Sequence, residues 1–199
     1  MATTPNNAIN ALCMATQSRA CDFKPLRLTR RPVGPHDVLI EMKYCGVCHT
    51  DLHNAAGHLE ALGGPFYPCV PGHELAGVCI AVGASVTRAK VGDQIGVGCM
   101  VDSCLECAAC LRGEEQKCMK QVMTYGGQDR SGRAAYGPGA PEHTLGGYTS
   151  HMVVHERFAV IIPAAYPLQM AGPVMVLRSP PWHQPALKYV LITHTAFFF

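Results

Sequence analysis

The chain has 199 residues, of which 48% are hydrophobic and 15% are charged, and its formal net charge is +2. This length allows one domain with a full hydrophobic core or two small domains. The small, evenly mixed charge offers no basic face for nucleic acid. No run reaches the ~18 apolar residues of a membrane-spanning helix, and the N-terminus lacks the features of a secretory signal. We therefore expect a cytoplasmic protein with no nucleic-acid or membrane partner.

Eleven cysteines are many for a chain of this length. Disulfides account for such numbers in secreted proteins, but an odd count without an export signal favours metal binding or thiol chemistry in a reducing compartment. Five of the cysteines are scattered, and we interpret them as small buried hydrophobic residues. They are Cys13, Cys21, Cys69, Cys79 and Cys99.

Short apolar or alternating runs bounded by Gly and Pro predict a β-rich fold. The predicted strands are 26–30, 38–44, 75–82 and 94–97, followed by a hairpin formed by 148–154 and 158–162. Helical signals are weak and cover 50–56, with Thr50 or Asp51 as the cap, and 167–175. Many short strands with frequent turns favour a barrel or a sandwich over a parallel βαβ array.

Two segments are predicted to be irregular. Residues 126–147 are polar and rich in Gly and Pro, which is typical of an exposed loop. The segment after Met175 contains several prolines, has no clear periodicity and ends in the run THTAFFF.

The strongest motif is CLECAACLRGEEQKC at residues 104–118, with the spacing C-x2-C-x2-C-x7-C. Four thiolates this close together can surround one Zn²⁺ tetrahedrally and leave no open position, so the predicted zinc is structural. Its binding free energy, on the order of 10 kcal/mol, contributes to folding. Free or disulfide-paired thiols remain an alternative, as does an iron–sulfur cluster, although a ferredoxin run closes with a shorter spacer and a proline. The four cysteines are Cys104, Cys107, Cys110 and Cys118.

A second metal site is indicated by Cys48, within CGVCHTDLH at 45–53, together with His73, within PGHELAG at 71–77. A catalytic zinc keeps three protein ligands and one open position, and a mixture of cysteine and histidine suits the polarisation of an alcohol or carbonyl oxygen. Asp51 could accept a hydrogen bond from a ligand histidine. Thr50 and His53 could transfer a proton to solvent.

The same stretch admits a redox interpretation, because Cys45 and Cys48 form a C-x-x-C pair. Thioredoxin-like dithiols have this spacing, but they occur within a βαβ pattern that is not evident here. Cys48 also has a use in the zinc hypothesis, which leaves Cys45 without a predicted role.

Three stretches follow one another in the chain: GVCHTDLH, then YPCVPGHELAGVCIAVGASVTRAKVGDQIGVG, then the four-cysteine run. In this order they resemble the zinc-dependent medium-chain alcohol dehydrogenases, over residues 24–162. VGCMVDSCLEC and GGYTSHMVVHERF resemble the cinnamyl-alcohol-dehydrogenase-like, NADP(H)-linked branch. The resemblance implies a mainly β, GroES-like, partly open barrel with short helices and a zinc lobe at 99–120.

The resemblance also implies roles for individual residues. Cys48 and His73 would bind the catalytic zinc, with Glu74 beside it as an exchangeable ligand or an outer neighbour. Thr50 and His53 would form a proton relay, and His49 would contact a cofactor phosphate. The four clustered cysteines would bind the structural zinc.

The chain departs from this family in two respects. The family's third catalytic ligand is a cysteine after an A-x-P-L-L-type segment, whereas the matching stretch here is MAGPVMVLRSP at 170–180, and no cysteine follows Cys118. No G-x-G-x-x-G follows a strand beyond Ile162, so a Rossmann domain is not predicted. We therefore expect a truncated member: an N-terminal extension at 1–23, a GroES-like domain at 24–162 and a divergent tail at 163–199.

Two functions follow from these expectations. The first is an NADP(H)- and zinc-dependent enzyme that interconverts small primary alcohols and aldehydes by hydride transfer. The second is a non-catalytic zinc-binding remnant of such an enzyme, which would self-associate as a homo-oligomer through exposed apolar surface.

Overall fold

The computed structural model describes residues 9–59, 64, 66–128, 143–177 and 197–198. Most of the predicted loop at 126–147 and nearly all of the tail after Leu177 lie outside these residues.

The described strands are of two kinds: some alternate between more and less buried side chains, as strands with one face on a core do, and others are buried along most of their length. They are β1 (Ile9–Ala15), β2 (Lys24–Arg30), β3 (Asp37–Cys45), β4 (Leu75–Val82), β5 (Gln94–Val97), β6 (Met100–Asp102), β7 (Val122–Met123), β8 (His151–His155), β9 (Val160–Ile162) and β10 (Phe197–Phe198). The helices are α1 (His49–Ala55), α2 (Ala108–Leu111) and α3 (Ala171–Leu177). Short 3-10 turns cover Glu115–Lys117, Glu156–Phe158 and Leu168–Met170.

The largest sheet has the strand order β10-β3-β4-β5-β9, and β8 pairs with β3. β1 pairs with β2, and β6 pairs with β7. Every pairing among these strands is antiparallel. The prediction of a mainly β fold with short helices is confirmed, and the four strands predicted between residues 26 and 97 match β2 to β5.

The predicted hairpin of 148–154 with 158–162 is wrong. β8 pairs with β3 and β9 pairs with β5, so the chain crosses from one part of the sheet to another between them. The crossing is fixed by Glu156, whose buried carboxylate accepts hydrogen bonds from the backbone amides of Thr87 and Arg88 at 2.8 and 2.9 Å. A tight turn between β8 and β9 would break these contacts.

The main hydrophobic core is built from buried side chains of β1, β3, β4, β5 and β8, with contributions from β6 and β7. β1 was not anticipated by the sequence patterns, although its buried Ala11, Cys13 and Ala15 follow the period of two expected for a strand. Within the described residues, no helix is long and apolar enough to cross a membrane.

One buried cation holds the segment before β8 in place. Arg30, at the end of β2, is 2% exposed, and its guanidinium donates to the carbonyl oxygens of Leu145, Gly146 and His151. These three bonds give the buried guanidinium acceptors and tie the end of β2 to residues 145–151.

We predict that Arg30→Leu lowers the free energy of unfolding by roughly 2–4 kcal/mol, because three carbonyls lose their buried donor. Denaturant unfolding monitored by circular dichroism measures the change. Arg27→Ala is the control, since Arg27 is exposed on the same strand and its loss should cost less than about 0.5 kcal/mol. Equal losses in the two variants would contradict this role for Arg30.

Candidate metal centres

The four clustered cysteines converge in one lobe between β6 and β7. The Cys104 and Cys110 sulfur atoms are 3.8 Å apart, those of Cys107 and Cys110 are 3.5 Å apart, and those of Cys104 and Cys118 are 3.4 Å apart. A tetrahedral zinc with Zn–S bonds of about 2.3 Å separates its sulfur ligands by about 3.8 Å. A disulfide needs an S–S distance of about 2.05 Å. The donor set therefore fits one zinc ion and not a disulfide.

Local hydrogen bonds prepare these sulfur atoms for a metal. Backbone hydrogen bonds from Glu106 and from Cys107, the latter at 3.3 Å, lower the pKa of Cys104 to about 6. Burial raises the pKa of Cys110 to about 11. A metal ion binds thiolates, so its arrival would displace the proton held by Cys110.

A second donor set forms where β3 leads into α1 and where β4 begins. Ligand atoms of Cys48, His73 and Glu74 all lie within 4.8 Å of one another. One thiolate, one imidazole and one carboxylate are donors that zinc accepts, and three protein donors leave a fourth position open. The residues present therefore fit a catalytic type of zinc site.

Asp51 holds this donor set together through hydrogen bonds to the segments that carry Cys48 and His73. Its Oδ1 lies 3.2 Å from Nδ1 of His73 and accepts from the amide of Gly72. Its Oδ2 accepts from the amide of Cys48 at 3.0 Å and from the hydroxyl of Tyr148 at 3.1 Å. With Nδ1 of His73 engaged, Nε2 is the ring nitrogen that remains for a metal.

The cap of α1 differs from the prediction. The N-cap residue is Cys48, and Asp51 contributes by accepting the hydrogen bond from the Cys48 amide. Thr50 lies within the first turn. The same carboxylate thus caps the helix and positions the metal donors.

Hydrogen bonds within this cluster shift the pKa values of Cys48, Asp51 and His73 in the directions that favour their charged forms. Although burial lowers the pKa of His73, hydrogen bonds with Asp51 and Cys48 raise it to about 10. The hydrogen bond with His73 holds the pKa of Cys48 below its ordinary value. Burial raises the pKa of Asp51, but its bonds with His73 and the Cys48 amide bring it below the ordinary value.

The remaining predicted residues lie on α1. The Thr50 hydroxyl is 3.6 Å from the Cys48 sulfur. The rings of His49 and His53 stack with centroids 4.5 Å apart. Nδ1 of His53 lies 3.0 Å from Nδ1 of His58, a partner that the sequence analysis did not include.

A cavity of about 370 Å³ opens beside Cys48, Thr50 and His73. Its other walls are mostly apolar and include residues that the sequence did not single out for this site. They are Phe66, Cys99, Met123, Tyr125 and Val176, among others. A space of this size accepts a small organic molecule next to the donor set.

Two of these wall residues bear on the sequence predictions. Cys99 was expected to be a buried hydrophobic residue, as Cys13, Cys69 and Cys79 are, but it is half-buried and faces the cavity, and Cys21 is also only half-buried. Val176 lies on α3, within the stretch compared with the family's third ligand, and it presents an apolar side chain to the cavity.

Cys45 is not suited to form a redox dithiol with Cys48. Its side chain is fully buried at the end of β3, and burial raises its pKa well above the ordinary value. A thiol of this kind is a poor nucleophile for disulfide exchange. The arrangement therefore favours metal binding by Cys48 over the redox hypothesis.

Comparison with known proteins agrees with these features. The alcohol dehydrogenase GroES-like domain family matches residues 34–164. A probable cinnamyl alcohol dehydrogenase of Oryza sativa is 42% identical over 165 residues, which are 83% of this chain and 42% of the rice protein. An NADP-dependent alcohol dehydrogenase C of Mycobacterium bovis is 44% identical over 149 residues, 74% of this chain and 40% of that protein.

Solved structures give the same result. A cinnamyl alcohol dehydrogenase of Helicobacter pylori, complexed with NADP(H), superposes with a TM-score of 0.76 and 36% identity, covering 85% of this chain and 46% of its own. The corresponding enzyme of Sorghum bicolor has a TM-score of 0.74 and 37% identity, covering 84% and 44%. The chain spans 42% of the rice protein's length and 40% of the mycobacterial protein's. It belongs to the alcohol dehydrogenase family, through that family's GroES-like domain.

Proposed function

We propose that the protein acts as the zinc-binding part of an NADP(H)-linked alcohol dehydrogenase that interconverts small primary alcohols and aldehydes. The observation that carries this proposal is the separation of two donor sets. Four cysteines form a closed set in the lobe, whereas Cys48, His73 and Glu74 form an open set beside a cavity. A structural and a catalytic zinc need these two kinds of site.

In this proposal Cys104, Cys107, Cys110 and Cys118 hold the structural zinc. Cys48, His73 and Glu74 hold the catalytic zinc, and Asp51 fixes the orientation of His73. When bound, this zinc supplies a Lewis acid for the oxygen of an alcohol or aldehyde. The chain's own residues orient the substrate and manage the proton.

Thr50 is the first residue in the proposed proton path, because its hydroxyl lies beside Cys48 and lines the cavity. His53 lies one turn further along α1 and is bonded to His58, which is exposed. This arrangement supports transfer of a proton between the cavity and solvent. His49 is exposed at the start of α1, where a phosphate of the cofactor could contact it.

The apolar walls of the cavity support an alcohol or aldehyde with an apolar body as the substrate. The NADP(H) part of the proposal is supported by the relatives, one of which is named as NADP-dependent and another of which was solved with NADP(H). A cytoplasmic location belongs to the proposal because zinc–thiolate sites need reduced cysteines. Self-association is supported by Leu111 and Met119, which are 72% and 87% exposed on the lobe.

A non-catalytic zinc-binding protein is the second candidate. The observation that favours it is Val176, because this residue lines the cavity beside the open donor set and offers no ligand atom. Apart from the Cys99 thiol in the wall of the same cavity, the second site depends on the Glu74 carboxylate for its third donor.

We predict about two zinc ions per chain by elemental analysis, and NADPH oxidation that depends on an added aldehyde. Cys48→Ser should remove about one zinc ion and abolish the oxidation while leaving the lobe loaded. Cys21→Ser is the control, since Cys21 lies outside both donor sets. About one zinc per chain with no saturable NADPH binding would favour the second candidate. Absence of bound zinc would contradict both candidates.

We also predict that Val176→Cys strengthens metal binding at the open site, because it adds a thiolate to the wall of the cavity that Cys48 and His73 also line. Cobalt titration should show a lower dissociation constant and a stronger thiolate-to-cobalt charge-transfer band. Val174→Cys is the matched control, since Val174 is exposed on the same helix. Equal gains in both variants would contradict this placement of Val176.

A further inference from the structure

Arg157 connects the zinc lobe to the rest of the protein. Its Nη1 donates to the carbonyl oxygen of Cys110 at 2.9 Å and to Oε1 of Glu115 at 2.7 Å. Both contacts are partly buried, so solvent competes for them less than it would at an exposed surface. Arg157 lies in the 3-10 turn after β8, more than forty positions away in sequence from either partner.

These two partners belong to different parts of the lobe. Cys110 lies on α2 and contributes a sulfur atom to the donor set. Glu115 begins the 3-10 turn that leads directly to Cys118. The guanidinium of Arg157 therefore holds both the segment that carries Cys110 and the turn that leads to Cys118.

The hydrogen bond from Arg157 gives the backbone carbonyl of Cys110 its second donor. The carbonyl oxygen of Cys110 also accepts from the amide of Gly113 at 3.0 Å, so both of its lone pairs have donors. A carbonyl held from two directions cannot rotate without breaking a bond. The position of the Cys110 sulfur depends on this backbone.

Arg157 is itself held firmly. The carboxylate of the preceding residue, Glu156, is buried and accepts from the amides of Thr87 and Arg88 and from His36 at 3.0 Å. The amide of Arg157 donates to Nδ1 of His155 at 3.2 Å. The guanidinium thus projects from a turn that is anchored to the segment before β3 and to the connection between β4 and β5.

We propose that Arg157 is a positioning residue for the structural zinc. It holds Cys110 and the turn before Cys118 at metal-binding distance before the ion arrives, and so it raises the affinity of the lobe for zinc. Preorganised donors bind a metal more tightly because less ordering accompanies binding. This role rests on the proposed binding of zinc by the four cysteines.

The experiment measures Co²⁺ affinity of the lobe by competition with a chelator, followed at the thiolate-to-cobalt charge-transfer band. All variants carry Cys48→Ser, so that the lobe supplies the thiolate signal. Arg157→Ala should weaken binding roughly 10- to 100-fold, the range found for residues that support metal ligands. Arg157→Lys, which retains one donor, and Glu115→Gln, which retains an acceptor, should give smaller losses.

Arg112→Ala is the matched control, because Arg112 lies in the same lobe but pairs with Glu114 at the surface, at 3.1 Å. It should leave the affinity unchanged. Unfolding of the metal-free variants by denaturant separates positioning from general stability. The proposal is overturned if Arg157→Ala binds Co²⁺ within twofold of the parent affinity. If Arg157→Ala does not fold, the same result in both Arg157→Lys and Glu115→Gln overturns it. Failure of the parent to bind Co²⁺ would instead overturn the zinc assignment together with this role.

Discussion

The buried carboxylate of Asp51 is the constraint on which the open donor set depends. A carboxylate removed from water needs hydrogen-bond donors at most of its lone pairs, because otherwise its burial costs several kcal/mol. Here the donors are the amides of Cys48 and Gly72, the ring of His73 and the hydroxyl of Tyr148. They come from three separate segments of the chain. Satisfying Asp51 therefore brings the metal donors together.

The sheet makes this convergence possible. β3 and β4 are antiparallel neighbours with Cys45 opposite Leu75, so Cys48, three residues past one strand, and His73, two residues before the other, leave the sheet at the same edge. Gly72 has a φ of +103°, and a side chain there would collide with Tyr148 and Cys45. Only glycine allows the turn to approach so closely.

The two centres differ in how they are built. The lobe draws all four sulfur atoms from fifteen consecutive residues, so its spacing alone indicates a metal. Arg157 then fixes this local unit to the barrel from a distant part of the chain. In the open site, Cys48 and His73 are adjacent only because β3 and β4 pair. Asp51 also accepts a hydrogen bond from the hydroxyl of Tyr148, which lies nearly one hundred residues later in the chain.

The amino-acid sequence by itself determined the β-rich character, the positions of β2 to β5 and the four-cysteine lobe, and it indicated Cys48 and His73 as donors, with Glu74 added by the family resemblance. The strands and the lobe follow from apolar or alternating runs and from the close spacing of four cysteines, both of which are local. The tertiary structure alone decided that β8 and β9 pair with different strands, that Tyr148 binds Asp51 and that Val176 and Cys99 face the cavity. The physical reason is that pairing partners, buried hydrogen bonds and cavity walls join residues far apart in sequence, where no local pattern records them.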